Sequence, residues 1–218
     1  MTPPDQLARA VEPVTQSPPQ SRPPGVSGQP QQLSVLGSGR RSLFDRVRPT
    51  EIAAVGRKLR GPGGMALASL QSTGVTGGTL RTADDVIVGG RAFGTPRPAW
   101  FAATEGAAIG QAYGIATVRG QRGIGGHSWC IVRSRALRLG PALEAVTAIG
   151  DLDPVGLILI IVGPTGSEER MVGLLEACGV ITSRADNNDA WSVVSALDHA
   201  ARRSRSTATA VVATRDGS

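Results

Sequence analysis

The sequence predicts an α/β fold in three layers, a parallel sheet with helices on both faces. Three observations carry that expectation. Residues 156–162 (GLILIIV) are apolar throughout, as a strand covered on both faces must be. Beyond Trp100, strand-length apolar runs alternate with segments of helical spacing, joined by short connections. Finally, 40% of the 218 residues are hydrophobic but only 3% are aromatic, so a core of ordinary size has to be built from Val, Ile, Leu and Ala.

Residues 1–39 are rich in Pro, Gln, Ser and Gly with little to bury, and read as a disordered tail ahead of one domain over 40–218. Within 42–60, Leu43, Phe44, Val47, Ile52, Val55 and Leu59 fall near helical spacing. Pro49 breaks that run, and Thr50 is placed to cap a helix starting at Glu51. Glycines punctuate 61–98, where short strands and loops fit equally well. The small apolar residues of 102–118 suit a buried helix, and 128–132 a short strand. Residues 136–149 predict an amphipathic helix with Leu139, Ala142, Leu143, Val146 and Ile149 on one face. The strand 156–162 follows, then a helix over 168–178 with Thr165 and Glu168 as a capping box. A further helix over 191–201 and a strand over 208–214 (ATAVVAT) complete the pattern.

The balance is basic, formally +6, and Lys58 is the single lysine among 23 Lys and Arg residues. These charges are dispersed rather than gathered with aromatics, which argues against a nucleic-acid surface. Cys130 and Cys178 lie far apart inside apolar runs, as buried reduced thiols do. No apolar run is long enough to cross a bilayer. The first residues, MTPPDQLARA, lack the basic start and apolar stretch of a signal peptide. Together these point to a cytoplasmic protein.

In parallel sheets ligands bind beyond the carboxyl ends of the strands, so the loops after Val132 and Val162 matter most. The second, GPTGSEER, has the look of a phosphate loop. It lacks the Lys and Ser/Thr that reach phosphate and magnesium, and offers Glu168 and Glu169 instead. A tight turn into a capped helix is the expectation, with anion capture by free helix-end amides the alternative. His127 and His199 have no ligand-spaced neighbours and read as structural. In RADNNDAW (184–191), Asp189 is placed to cap the following helix, and the glycine and glutamate of a calcium loop are lacking.

Several segments together resemble transketolase and 1-deoxy-D-xylulose-5-phosphate synthase. They are GQAYGIA (110–116), WCIVRSRALRLGPALEA (129–145), IGDLDPVGLILIIV (149–162), LLEACGV (174–180) and AVVATRDG (210–217), in family order. Earlier, TGGTL (76–80) is similar to the synthase segment Thr-Gly-Gly-His-Leu, with Thr79 at the place of the histidine. The resemblance implies the thiamine diphosphate-binding half of such an enzyme, shortened and incomplete. In that family the Asp of Gly-Asp-Gly and the last Asn of Asn-Asp-Asn hold the magnesium ion that bridges the cofactor's diphosphate. Here the first motif is Arg133, Ser134 and Arg135, and the second, aligned without gaps, is Ile161, Val162 and Gly163.

Magnesium demands hard oxygen ligands, and neither place offers a strong one. The expectation is therefore a degenerate relative that does not bind thiamine diphosphate with magnesium and has no catalytic or metal-ligating residue of its own. Arg133 and Arg135 remain able to attract a diphosphate directly. A split-enzyme subunit and a basic module for an anionic partner are the competing readings. The family's second half, which carries the activating glutamate, is not among these residues, so a homo-oligomer or a second-half chain is the expected partner. The low charge of 102–118 points the same way.

Overall fold

The structure, a computed structural model, describes residues 48–58, 63–72, 85–90, 100–102 and 104–215. The tail expected over 1–39 and the TGGTL segment with Thr79 lie outside the described residues. Among those described, six strands form one sheet in the order β2-β1-β3-β4-β6-β5. The strands are β1 (Val86–Gly90), β2 (Trp100–Ala102), β3 (Ser128–Arg133), β4 (Leu157–Pro164), β5 (Ile181–Asp186) and β6 (Thr209–Arg215). Every pairing is parallel. The three strands expected from sequence thus run the same way, in register from Ser128↔Leu157 to Arg133↔Val162 and from Ile158↔Thr209 to Pro164↔Arg215.

Alternation of side chains across the sheet divides the core in two. On one face Val86, Val88, Cys130, Val132, Leu159 and Ile161 pack beneath α3 (Glu105–Gln121), α4 (Gly140–Leu152) and α5 (Glu168–Ala177). On the other, Ile87, Trp129, Ile131, Ile158 and Ile160 pack against α2 (Gly64–Ser72) and α6 (Ala190–Arg203). The ten-residue helix α1 (Pro49–Lys58) lies against α2 and α6. Both faces of β4 are covered, which is why Leu157 to Val162 are all buried.

Several expectations are corrected. Helix α1 starts at Pro49, not Glu51, because proline is favoured at a first helical position, where no amide hydrogen bond is lost. Helix α2, inside the unreadable 61–98, is buried on nearly every side, so it carries no amphipathic signal. Ala102, expected to open the helix, instead ends the strand Trp100–Ala102, and α3 begins at Glu105 behind Thr104, whose side chain accepts from the Ala107 amide at 3.2 Å. The helix expected over 136–149 is broken. A 3-10 turn, Ser134–Arg138, ends at Leu139, and α4 starts afresh with Pro141 in its first turn. Ala142, Val146 and Ile149 face the core as expected, whereas Leu139 and Leu143 are 46% and 43% exposed.

The capping box at Thr165 does not form. Ser167 is the capping residue of α5 without a side-chain cap bond, and the Glu168 carboxylate accepts from the Gly166 amide at 3.0 Å instead. A strand, β5, stands where the sequence pattern passed directly from helix to helix. Asp189 does cap α6, accepting from the Trp191 and Ser192 amides at 3.0 and 3.2 Å.

Candidate functional site

The chain leaves β1 outward to β2, returns through α3, and continues from β3 to β4 on the other side. Strand order therefore reverses between β1 and β3, and the crevice at the carboxyl ends of such neighbours is the usual ligand position in open parallel sheets. Arg133 is the last residue of β3 and pairs in register with Val162 of β4. One step further, Ser134 and Gly163 meet. A Cβ added to Gly163 would lie 2.9 Å from Ser134 Cβ, 2.9 Å from Ser134 Oγ and 2.9 Å from Ser167 Oγ. The sheet thus brings together the two positions, far apart in sequence, that correspond to the metal-holding places of the resemblance. Ile161 and Val162 are buried inside the sheet and are out of reach of any ligand.

The donor set at this place is neutral. Ser134 and Ser167 contribute hydroxyls, Gly163 only backbone, and the Ser167 hydroxyl already donates to the Pro164 carbonyl at 2.6 Å. Magnesium gives up its water reluctantly and only to well-placed anionic or carbonyl oxygens. Among the described residues no cluster of three acidic, His or Cys side chains is poised for a metal. The residues at this place do not fit a magnesium-bridged diphosphate.

Nor are the two arginines at liberty to replace the metal. Arg133 Nε donates to Glu105 Oε1 at 2.5 Å, and Arg135 Nε lies 3.4 Å from Glu105 Oε2. The Glu105 side chain is 9% exposed, that of Arg133 25% and that of Arg135 67%. One carboxylate from the first turn of α3 is thus shared by both guanidinium groups. That leaves one net positive charge where the sequence suggested two. Glu105 was visible in the sequence only as the lone acid of a charge-poor helix, and nothing local announced its partners.

Beside Ser134 and Ser167 a cavity of about 500 Å³ opens between the Ser134–Arg138 turn, α4 and α5. A second hollow, about 330 Å³, lies over the ends of β5 and β6 and includes Glu168, Arg184, Asp186 and Thr214. Arg184 is engaged there, donating to both oxygens of Glu169 at 2.6 and 2.9 Å, and those hydrogen bonds hold the Glu169 carboxyl below its ordinary range.

His127 has a carboxylate partner that the sequence did not reveal. Its amide donates to Asp85 Oδ1 at 2.8 Å, its Nδ1 lies 3.1 Å from Oδ2, and the Trp129 indole donates to Oδ2 at 2.8 Å. Burial alone would raise the Asp85 pKa. The hydrogen bonds and charge of His127, with the Trp129 bond, outweigh burial and hold it below the ordinary value. Asp85 and His127 precede β1 and β3, at the amino ends of the strands, and His127 Nε2 lies 3.1 Å from the Ala201 carbonyl of α6. The cluster ties α6 to the sheet on the edge away from the ligand side. His199 is exposed on α6.

No family model matches the chain, and no curated protein matches it by sequence. Among solved structures it is similar to a transketolase from Campylobacter jejuni, with a TM-score of 0.52 and 14% identity over 75% of this chain and 36% of that one. A protein from Mycobacterium smegmatis, described as a thiamin diphosphate-dependent enzyme, gives a TM-score of 0.49 and 14% identity over 62% of this chain and 29% of that one. The chain therefore spans about a third of the transketolase's length. The shared feature is the fold.

Proposed function

We propose that this chain is a degenerate relative of transketolase and 1-deoxy-D-xylulose-5-phosphate synthase that has lost magnesium-dependent thiamine diphosphate binding and performs no ketol transfer on its own. Its role is then that of a non-catalytic subunit, self-associating or joined to a chain carrying the second half of such an enzyme, in the cytoplasm. The observation that carries this reading is the meeting of Ser134 and Gly163 at the carboxyl ends of β3 and β4. The place expected to hold the metal contains two hydroxyls, a bare backbone and a neighbouring guanidinium already claimed by Glu105.

Association is supported by the apolar surface on and beside α4. Leu139 and Leu143, four residues apart at the start of α4, are both more than two-fifths exposed, and neighbouring exposed apolar residues mark contact surfaces. Helix α3, expected to need a partner, buries Ala108, Ile109, Ala112, Ile115 and Ala116 within the chain. A partner would therefore meet α4 first.

The test is to restore the motif. The parent and a variant carrying Arg133→Gly, Ser134→Asp and Arg135→Gly are titrated with thiamine diphosphate, with and without magnesium. The reading expects magnesium-dependent binding by the variant to exceed that of the parent. Equal, tight, magnesium-dependent binding by both would show that the cofactor site lies elsewhere and is intact.

A further inference from the structure

The cavity of about 500 Å³ between α4 and α5 falls within the range of small-molecule sites, roughly 300–1,000 Å³. Its walls are of two kinds. Leu137, Leu143, Met171 and Leu174 supply an apolar floor and side, with Leu137 and Met171 buried and Leu143 turned toward solvent. Arg138 and Arg170 stand on opposite elements, one in the turn after β3 and one on α5. Both are exposed, and neither makes an ion pair with a described carboxylate.

No acidic side chain lines the cavity. Elsewhere on this side of the sheet carboxylates accompany the arginines. Glu105 holds Arg133 and Arg135, and Glu169 holds Arg184. Two free guanidinium groups beside an apolar hollow therefore stand apart from their surroundings. Guanidinium binds phosphate or carboxylate through paired N–H donors, and the apolar floor has no use for such a head group. It suits a hydrocarbon tail.

We propose that this cleft binds a small amphipathic anion, a phosphate or carboxylate head held by Arg138 and Arg170 with a short alkyl tail lying on Leu137, Leu143, Met171 and Leu174. The Ser134 hydroxyl borders the cleft and is a further donor for the head group. Binding needs no metal, because the positive charge comes from the two arginines. The proposal does not depend on the loss of the thiamine cofactor. It uses side chains of the turn, α4 and α5 that take no part in that loss, apart from Ser134; Leu143 is shared with the exposed apolar surface on α4.

The experiment is calorimetric titration of the full chain in metal-free buffer with inorganic phosphate, then methyl, butyl, hexyl and octyl phosphate, each below its micelle concentration, and with octanoate. Affinity is expected to rise by up to roughly fourfold for each methylene that becomes buried, to level off once the cavity is filled, and to saturate at one ligand per chain. Octyl phosphate should bind at least tenfold tighter than inorganic phosphate. Comparing octyl phosphate with octanoate then ranks the two head groups.

Arg138→Ala with Arg170→Ala should weaken octyl phosphate at least tenfold without moving the unfolding midpoint, since both side chains are exposed and unpaired. Leu143→Asp, also at an exposed position, should weaken it similarly by placing a carboxylate in the wall. Affinity independent of chain length, unchanged affinity in the double arginine variant, or uptake of many ligands per chain would each overturn the proposal. So would a strict requirement for magnesium.

Discussion

Replacing Glu105 by Gln keeps the shape of the side chain and removes the charge that binds two arginines. The Arg133 bond is the stronger one. At 2.5 Å between a largely buried carboxylate and a guanidinium mostly shielded from water, a charge-assisted bond contributes about 1.5–3 kcal/mol. Arg135 is mostly exposed, so solvent reduces its share to about 0–1 kcal/mol. The acid also sits in the first turn of α3, where the helix dipole contributes another ~0.3–1 kcal/mol. Glu105→Gln should therefore cost roughly 2–4 kcal/mol, a midpoint drop of about 5–12 °C for a domain of this size. A double-mutant cycle with Arg133→Gln, followed by urea unfolding, separates the pair from the dipole. The coupling energy should lie near 1.5–3 kcal/mol, and the Glu105→Gln chain should be stabilised more than the parent by added phosphate. A coupling below about 0.5 kcal/mol, the level of independent sites, would refute the claim that Glu105 occupies these arginines.

Gly150→Ala should abolish stable folding or cost more than about 3 kcal/mol, read by thermal denaturation, because its Cβ would fall 1.6 Å from the Cys178 carbonyl oxygen. Gly163→Ala should cost about 1–3 kcal/mol from crowding against Ser134 and Ser167, and adding Ser134→Gly should return a good part of it; no recovery would mean the two positions do not touch. Asp85→Asn should destabilise by about 1–3 kcal/mol at neutral pH by weakening a shared buried acceptor. Asp85 has its pKa lowered in the folded chain, so its contribution is complete above the unfolded value near 3.8 and is lost as pH falls through the folded one. The parent and Asp85→Asn curves of stability against pH should accordingly converge on the acid side, and a constant gap down to pH 2 would contradict the assignment.

Elements with a strong local signature were legible from sequence. The run ending in Val162 could only be a doubly covered strand, and Asp189 before Trp191 announced the start of α6. Strand β5 was not legible, because ITSRAD is an edge strand with only Ala185 buried and so lacks an apolar run. Helix α2 failed for the opposite reason, being buried on nearly every side with no polar face to detect. Leu139 was assigned to a core face because helical spacing was extended through it, whereas it separates the Ser134–Arg138 turn from α4. Leu143 lies within α4, at the margin of the face that Ala142, Val146 and Ile149 bury.

The site divides in the same way. Ser134 and Gly163 were singled out through a resemblance that depends on order and spacing, and the parallel register of β3 and β4 places them side by side. Glu105 lies 28 residues before Arg133, and Asp85 lies 42 before His127. Such pairings are set by the tertiary path of the chain, so no window of sequence contains them. The Arg138 and Arg170 pair is of the same kind, created where the turn after β3 meets α5.

The central claim is that the carboxyl end of this sheet no longer holds a magnesium-bridged diphosphate, and calorimetric titration of the parent chain with thiamine diphosphate, with and without magnesium, tests it most directly. The account predicts no heat of binding that depends on the metal, with any residual binding weak, metal-independent and suppressed by salt as expected for arginine–phosphate contacts. Saturable binding that appears only when magnesium is added, at micromolar affinity or tighter, would contradict it.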